Sequence, residues 1–339
     1  MDYVVEQALT AIAGLSVDAF ALDQIISGGG VDLVIDSIRR HGEDVKREGV
    51  IALSNLAAAE AVQRVLLERD ALELVTDVMD KQPDDHVLQE RGCKAVKLLA
   101  SQMHNKLTVV VGVLNAMTNV LSRHKDNPKI AIRAIGAVRV MLANPDNANA
   151  ADISTILQLV PSCMHRMQEA PDLAKEGCSF MRTVAKYEKF QESINVAGGV
   201  EATICALKNN RLNISVQKEG WNALVSLFVL PCNISNAHRS GVVGVLLSTI
   251  LEHMRNDKLQ ELLCLVMRIL SVHASLLSEI HHSGGLEAVL QAASEHIDRE
   301  QVTQHVLATL VNLVSGEGCS KFFELQDTLL LASKVNHPT

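Results

Sequence analysis

The sequence predicts an all-α solenoid of about seven three-helix repeats. Three observations carry that prediction. One segment type returns at a nearly constant interval, two apolar columns run through every copy, and a second helical run, mostly led by glycine, recurs about 20 residues upstream of six of them.

The recurrent segment is clearest in KREGVIALSNLA from Lys46, QERGCKAVKLLA from Gln89, AKEGCSFMRTVA from Ala174 and QKEGWNALVSL from Gln217. Gly49, Gly92, Gly177 and Gly220 hold the same place in each. IAIRAIGAVRVML fills the gap with Ala134, and Leu262 and Val306 continue the register. Positions 49, 92, 134, 177, 220, 262 and 306 are thus separated by 42 to 44 residues. Four residues further on stand Leu53, Val96, Val138, Met181, Leu224, Val266 and Leu310. Seven further on stand Leu56, Leu99, Met141, Val184, Leu227, Ile269 and Leu313. Apolar positions spaced by three and four form one stripe of an amphipathic helix, so the last helix of each unit turns a face into a continuous core.

The upstream segment reads SGGGVDLVIDSI from Ser27, RDALELVTDVM from Arg69, VVGVLNAMTNVL from Val110, AGGVEATICAL from Ala197, SGVVGVLLSTIL from Ser240 and SGGLEAVLQAA from Ser283. Glycine before a helical run lets the chain reverse sharply after a shorter helix. Short apolar stretches such as FALDQII, AVQRVLL, FQESINV and SLLSEIH supply that shorter helix. RHGED, DKQPDD, RHKDNP and KNNRLN punctuate the step to the last helix.

Three helices in 42 to 44 residues, a Gly-Gly before the second and E-G-x-x-A-[LV] opening the third resemble the armadillo repeat. HEAT repeats, with two helices, are the near alternative. The resemblance covers nearly the whole chain and implies a right-handed superhelix that binds extended peptides or partner domains along the concave surface lined by third helices. A single domain over 1–339 is expected. It comprises a partial repeat 1–13, repeats at about 14–57, 58–100, 101–142, 143–185, 186–228, 229–270 and 271–314, and a C-terminal cap at 315–339. In the fourth unit NPDNANAADIS replaces a clear first helix, and Pro161 should kink or shorten the second. Residues 3–13 match a third helix alone, so the chain begins inside a repeat. Its apolar Val4, Val5 and Ile12 suit a continuing solenoid better than a polar terminal cap.

Composition narrows the function classes. Hydrophobic residues are 48% and aromatics only 3%, so the core is aliphatic. A net charge of −8 argues against a nucleic-acid binder. No apolar run approaches the ~20 residues of a membrane span. Cys93, Cys163, Cys178, Cys205, Cys232, Cys264 and Cys319 are odd in number and widely spaced, which fits free thiols in a reducing compartment, the cytoplasm or the nucleus. No P-loop, dinucleotide fingerprint, nucleophile elbow or zinc-protease motif is present, and the thirteen histidines are scattered. A non-enzymatic protein with no cofactor is expected.

In the importin and catenin types of the family, an Asn on each third helix grips the peptide backbone. The matching column here reads Asn55, Leu98, Val140, Thr183, Ser226, Arg268 and Asn312, so only the end units keep Asn. The importin-type Trp column holds Gly136 and Cys264 among others and no Trp, and Trp221, one residue off, reads as core. The adjacent column presents Lys97, Arg139 and Arg182 in three successive repeats, with Lys94 one turn before Lys97 and Arg133 and Lys186 flanking. At about 10 Å per helix step, such a ladder suits an acidic or phosphorylated segment. It is equally readable as a solvated face with salt bridges to nearby Glu. Glu48, Glu176, Glu219 and Glu261 share a column read as first-turn partners of the helix dipole. Val225, Met267 and Val311 would extend the groove as an apolar stretch. The expected role is a scaffold or adaptor for a partner protein or extended peptide, with Lys94, Lys97, Arg139, Arg182, Asn55 and Asn312 lining the groove. A chaperone cofactor and a regulatory solenoid of a larger kinase or cytoskeletal protein are the alternatives.

Overall fold

The computed structural model describes residues 2–102 and 107–316. Among them every regular element is a helix, and the chain divides into two compact units, Met1–Tyr187 and Glu188–Thr339. The first contains α1 (Asp2–Leu15), α2 (Ala19–Ser27), α3 (Gly30–Arg40), α4 (Glu43–Leu56), α5 (Glu60–Glu68), α6 (Ala71–Lys81), α7 (His86–Ala100), α8 (Leu107–Arg123), α9 (Pro128–Leu142), α10 (Pro145–Ala150), α11 (Ser154–Arg166) and α12 (Pro171–Val184). Its third helices α1, α4, α7, α9 and α12 each pack on the next. The second contains α13 (Glu188–Val196), α14 (Gly199–Asn209), α15 (Ile214–Leu227), α16 (Pro231–Arg239), α17 (Val242–Glu252), α18 (Asp257–Leu270), α19 (Ala274–His282), α20 (Gly285–Glu295) and α21 (Glu300–Gly316). There α15 packs on α18 and α18 on α21.

Side-chain caps set where the third helices begin. Asp85 accepts from the N–H of Val87 and of Leu88, both at 3.0 Å, and Asn127, Asn213 and Asn256 cap α9, α15 and α18 in the same manner. These starts precede the E-G segment, and that overturns one expectation. Glu48, Glu176 and Glu219 are the sixth residues of their helices and Glu261 the fifth, so they sit in the second turn, beyond the orphan N–H groups.

Two kinds of glycine do different work. Gly29, Gly198, Gly241 and Gly284 have φ of 72 to 82°, the left-handed turn between first and second helices, and Asp70 takes that place at φ 54°. Gly49, Gly92, Gly177 and Gly220 instead lie inside third helices under a side chain of the preceding second helix. A Cβ there would fall on Ile38, Met79, Met164 or Leu207 respectively. The glycine column is therefore a close-packing column, which explains why it shares the period of the apolar ones.

Buried amides lock the repeats internally. Gln89 Nε2 donates to the carbonyls of Met79 (2.8 Å) and Gln82 (3.1 Å), and Gln217 and Gln260 reach back to second-helix carbonyls in the same way. Gln217 Oε1 also accepts from Trp221 Nε1 at 3.1 Å, and Trp221 is fully buried, a core residue as its column indicates.

The degenerate units differ from the expected pattern. In the third, α8 is one 17-residue helix with Gly112 inside it rather than a short helix, a turn and a longer helix. Gly112 does not take the left-handed backbone that Gly241, also a single glycine, adopts, and the helix continues through it. In the fourth, Asn144 caps a six-residue α10 where no clear helix was expected. Pro161 does not end α11, which runs five residues further to Arg166. The expected closing segment at 315–339 lies, from 317 on, outside the described residues.

Candidate functional site

The face formed by α4, α7, α9 and α12 carries most of the residues singled out. Third-helix packing puts equivalent positions side by side, and the polar ones remain half-buried at the rim of the core. Asn55 on α4 donates through Nδ2 to the carbonyl of Ala13 at 2.9 Å and accepts at Oδ1 from Lys94 Nζ at 3.4 Å. The backbone it grips is the chain's own α1. Lys94 makes no ion pair among the described residues. Burial, followed by the charges of Arg91 and Arg133, holds its ammonium below the ordinary lysine range, against a smaller opposite effect of Glu90.

Lys97 on α7 and Arg139 on α9 meet at one carboxylate. Glu176 of α12 accepts from Arg139 Nε at 2.7 Å through Oε1, and its Oε2 lies 3.7 Å from Lys97 Nζ. The three side chains are 14% (Glu176), 29% (Lys97) and 26% (Arg139) exposed. Arg182 is half-buried on α12 and is engaged in contacts of its own. Asn312 belongs to the second unit, where its Nδ2 donates to Ser271 Oγ at 2.9 Å.

Sequence reasoning missed two contributors. Glu176 was assigned to the helix dipole, whereas its carboxylate is the anion of the cationic ladder. Arg91 stands with Arg133 in the same column as Glu48 and Glu176, so that column reads Glu, Arg, Arg, Glu along α4, α7, α9 and α12. That charge inversion was the available signal. Glu48 and Arg47 pair with each other, and Arg47 Nε also donates to Asp85 at 2.6 Å. Glu90 stands 3.9 Å from Arg133. On α7 and α9 together, Lys97 and Arg139 meet Glu176 and Arg133 meets Glu90, while Lys94 reaches Asn55.

The apolar stretch expected in the second unit is broken. Met267 is fully buried and Val225 half-buried, while Val311 is 65% exposed. Among the described residues no three His, Cys, Asp or Glu side chains gather as a metal would require, and no helix is long and apolar enough to cross a membrane.

These features define an armadillo-repeat solenoid with a charged third-helix face. The description "LRRK2 ARM repeat" matches residues 33–236, more than half of the chain, and the chain belongs to that family. No curated protein matches the sequence. An engineered protein shares the fold with a TM-score of 0.75 at 19% identity, over 98% of this chain and 79% of that one. A structure from work on a conserved phosphorylation switch that controls the interaction between cadherin and β-catenin matches with a TM-score of 0.69 at 15% identity. That match covers 95% of this chain and 64% of the other, just under two thirds of its length. A designed armadillo repeat protein matches with a TM-score of 0.54 at 18% identity, over 66% and 92%. At these identities the likeness is one of fold.

Proposed function

We propose that the protein is a non-enzymatic scaffold that holds an acidic or phosphorylated segment of a partner protein on the third-helix face of its first unit. The observation that carries this reading is Lys94, half-buried beside Asn55, subject to the like charges of Arg91 and Arg133 and without an ion pair among the described residues. Keeping a cation out of water beside like charges is unfavourable, and an anion from a partner relieves it. The β-catenin neighbour, whose interaction with cadherin a phosphorylation switch controls, lends the same chemistry support.

Affinity capture followed by mass spectrometry tests the reading, comparing wild type with the neutral variant Lys94→Gln/Lys97→Gln/Arg139→Gln. Neutral substitutions are preferable to charge reversal, which would set new carboxylates beside Glu176. Partners lost from the variant, and lost from wild type at high salt, support the reading; identical recovery at every salt concentration contradicts it. A second reading, a regulatory solenoid region of a larger kinase or cytoskeletal protein, is favoured by the match to a repeat named for LRRK2. The full reading frame decides it: further domains support it, and a solenoid-only product excludes it.

A further inference from the structure

Glu176 occupies the place an acidic ligand would take. Its carboxylate leaves α12, passes over α9 and reaches Lys97 on α7, so one side chain joins three successive third helices. The passage exists because position 136 has no side chain. A Cβ on Gly136 would stand 2.7 Å from Lys97 Nζ and 3.1 Å from Glu176 Oε1. Glycine weakens a helix interior, so its presence in the middle of α9 needs a local reason, and the ion pair above it supplies one.

We propose that Glu176 is an internal anionic ligand of the Lys97–Arg139 site, and that an acidic peptide segment binds there by displacing it. The inference rests on the reading of this face as a protein-binding surface and adds how that surface is held closed. The exchange is carboxylate for carboxylate at Lys97 and Arg139, so a single acidic residue gains little. A segment with several closely spaced acids gains more, because it also reaches Lys94, which Glu176 leaves without an ion pair. The internal carboxylate thus lowers affinity for isolated acids and selects for clustered ones.

Fluorescence anisotropy with a fluorescein-labelled decaglutamate peptide at low salt tests the proposal on the full chain. Glu176→Gln keeps the shape and removes the charge, and is expected to bind about fivefold more tightly than wild type. Gly136→Ala should move affinity in the same direction, since its methyl group displaces the pair while Ala favours the helix; this second route guards against a folding defect in the first. Lys97→Gln/Arg139→Gln should weaken binding in both the wild-type and Glu176→Gln backgrounds. Equal or weaker binding by Glu176→Gln and Gly136→Ala overturns the internal ligand, and leaves the binding face standing if the Lys97/Arg139 variant still loses affinity. Indifference to Lys97 and Arg139 overturns both. A dT10 oligonucleotide that binds more tightly than the peptide overturns the peptide as occupant.

Discussion

Asp85 shows at the residue scale how one carboxylate joins two repeats. It caps α7 through two backbone N–H groups and receives the Arg47 guanidinium from α4. Burial raises its pKa, but the Leu88 N–H, the Arg47 guanidinium and the Val87 N–H outweigh that and hold it below the ordinary value of 3.8. A depressed carboxyl contributes stability that is present above its unfolded pKa and lost as pH falls through the folded one. Asp85→Ala is therefore expected to cost about 1–2 kcal/mol at neutral pH, with the gap to wild type closing below pH 3.8; urea melts across pH check it. The thiols divide just as sharply. Burial pushes Cys163 up to about 11 and Cys264 up to about 12, and raises Cys93 as well, while Cys232 is exposed. Among the described cysteines, iodoacetamide on the native protein should label Cys232 first and leave Cys93, Cys163 and Cys264 unmodified until unfolding, as peptide mass spectrometry would read. Burial of those cysteines was legible in their apolar surroundings. The Glu176 bridge was not, because Lys97 and Glu176 lie two repeats apart and only the packing of α7, α9 and α12 brings them together.

At the scale of the element, glycine separates into strain and space. Gly241 has φ 72° and room around its missing Cβ, so Gly241→Ala should cost about 1 kcal/mol from the left-handed backbone alone. Gly49 has ordinary helical backbone, but its Cβ would strike Ile38, buried and stiff at its branch. Gly49→Ala should therefore cost about 1–3 kcal/mol, and more than Gly92→Ala, whose obstacle is the adaptable thioether of Met79. Chemical denaturation of the three variants orders them. The third helices were readable because the period and two apolar columns agree in all seven copies and glycine marks four of them. Their starts were less readable: the Asp and Asn caps lie in loops that resemble ordinary punctuation, and the glutamate column was placed a turn too early. Gly112 stands where Gly241 turns the chain, yet α8 runs on undivided, so neither that continuity nor the presence of α10 could be inferred from the pattern.

On the scale of the whole molecule, an acidic chain concentrates cations on two adjacent third helices of its first unit and sets a glutamate across them. The net charge of −8 hides this arrangement, which a column-by-column reading exposes only in part. The Lys97–Arg139 ladder is a salt-bridged face, with Glu176 set against both cations, and its use as a docking surface is the proposal that the charge variants test. Fold similarity to engineered and designed proteins fixes the architecture, whereas any task must come from these side chains. The most direct test is photo-crosslinking of a captured partner from benzoylphenylalanine placed at Leu98 on α7, at Val140 on α9 and at exposed Asn115 on α8. Crosslinks from Leu98 and Val140 that disappear in the Lys94→Gln/Lys97→Gln/Arg139→Gln background, with none from Asn115, are the predicted result. Crosslinks from Asn115 alone, or crosslinks at Leu98 and Val140 that ignore the loss of all three cations, would contradict it.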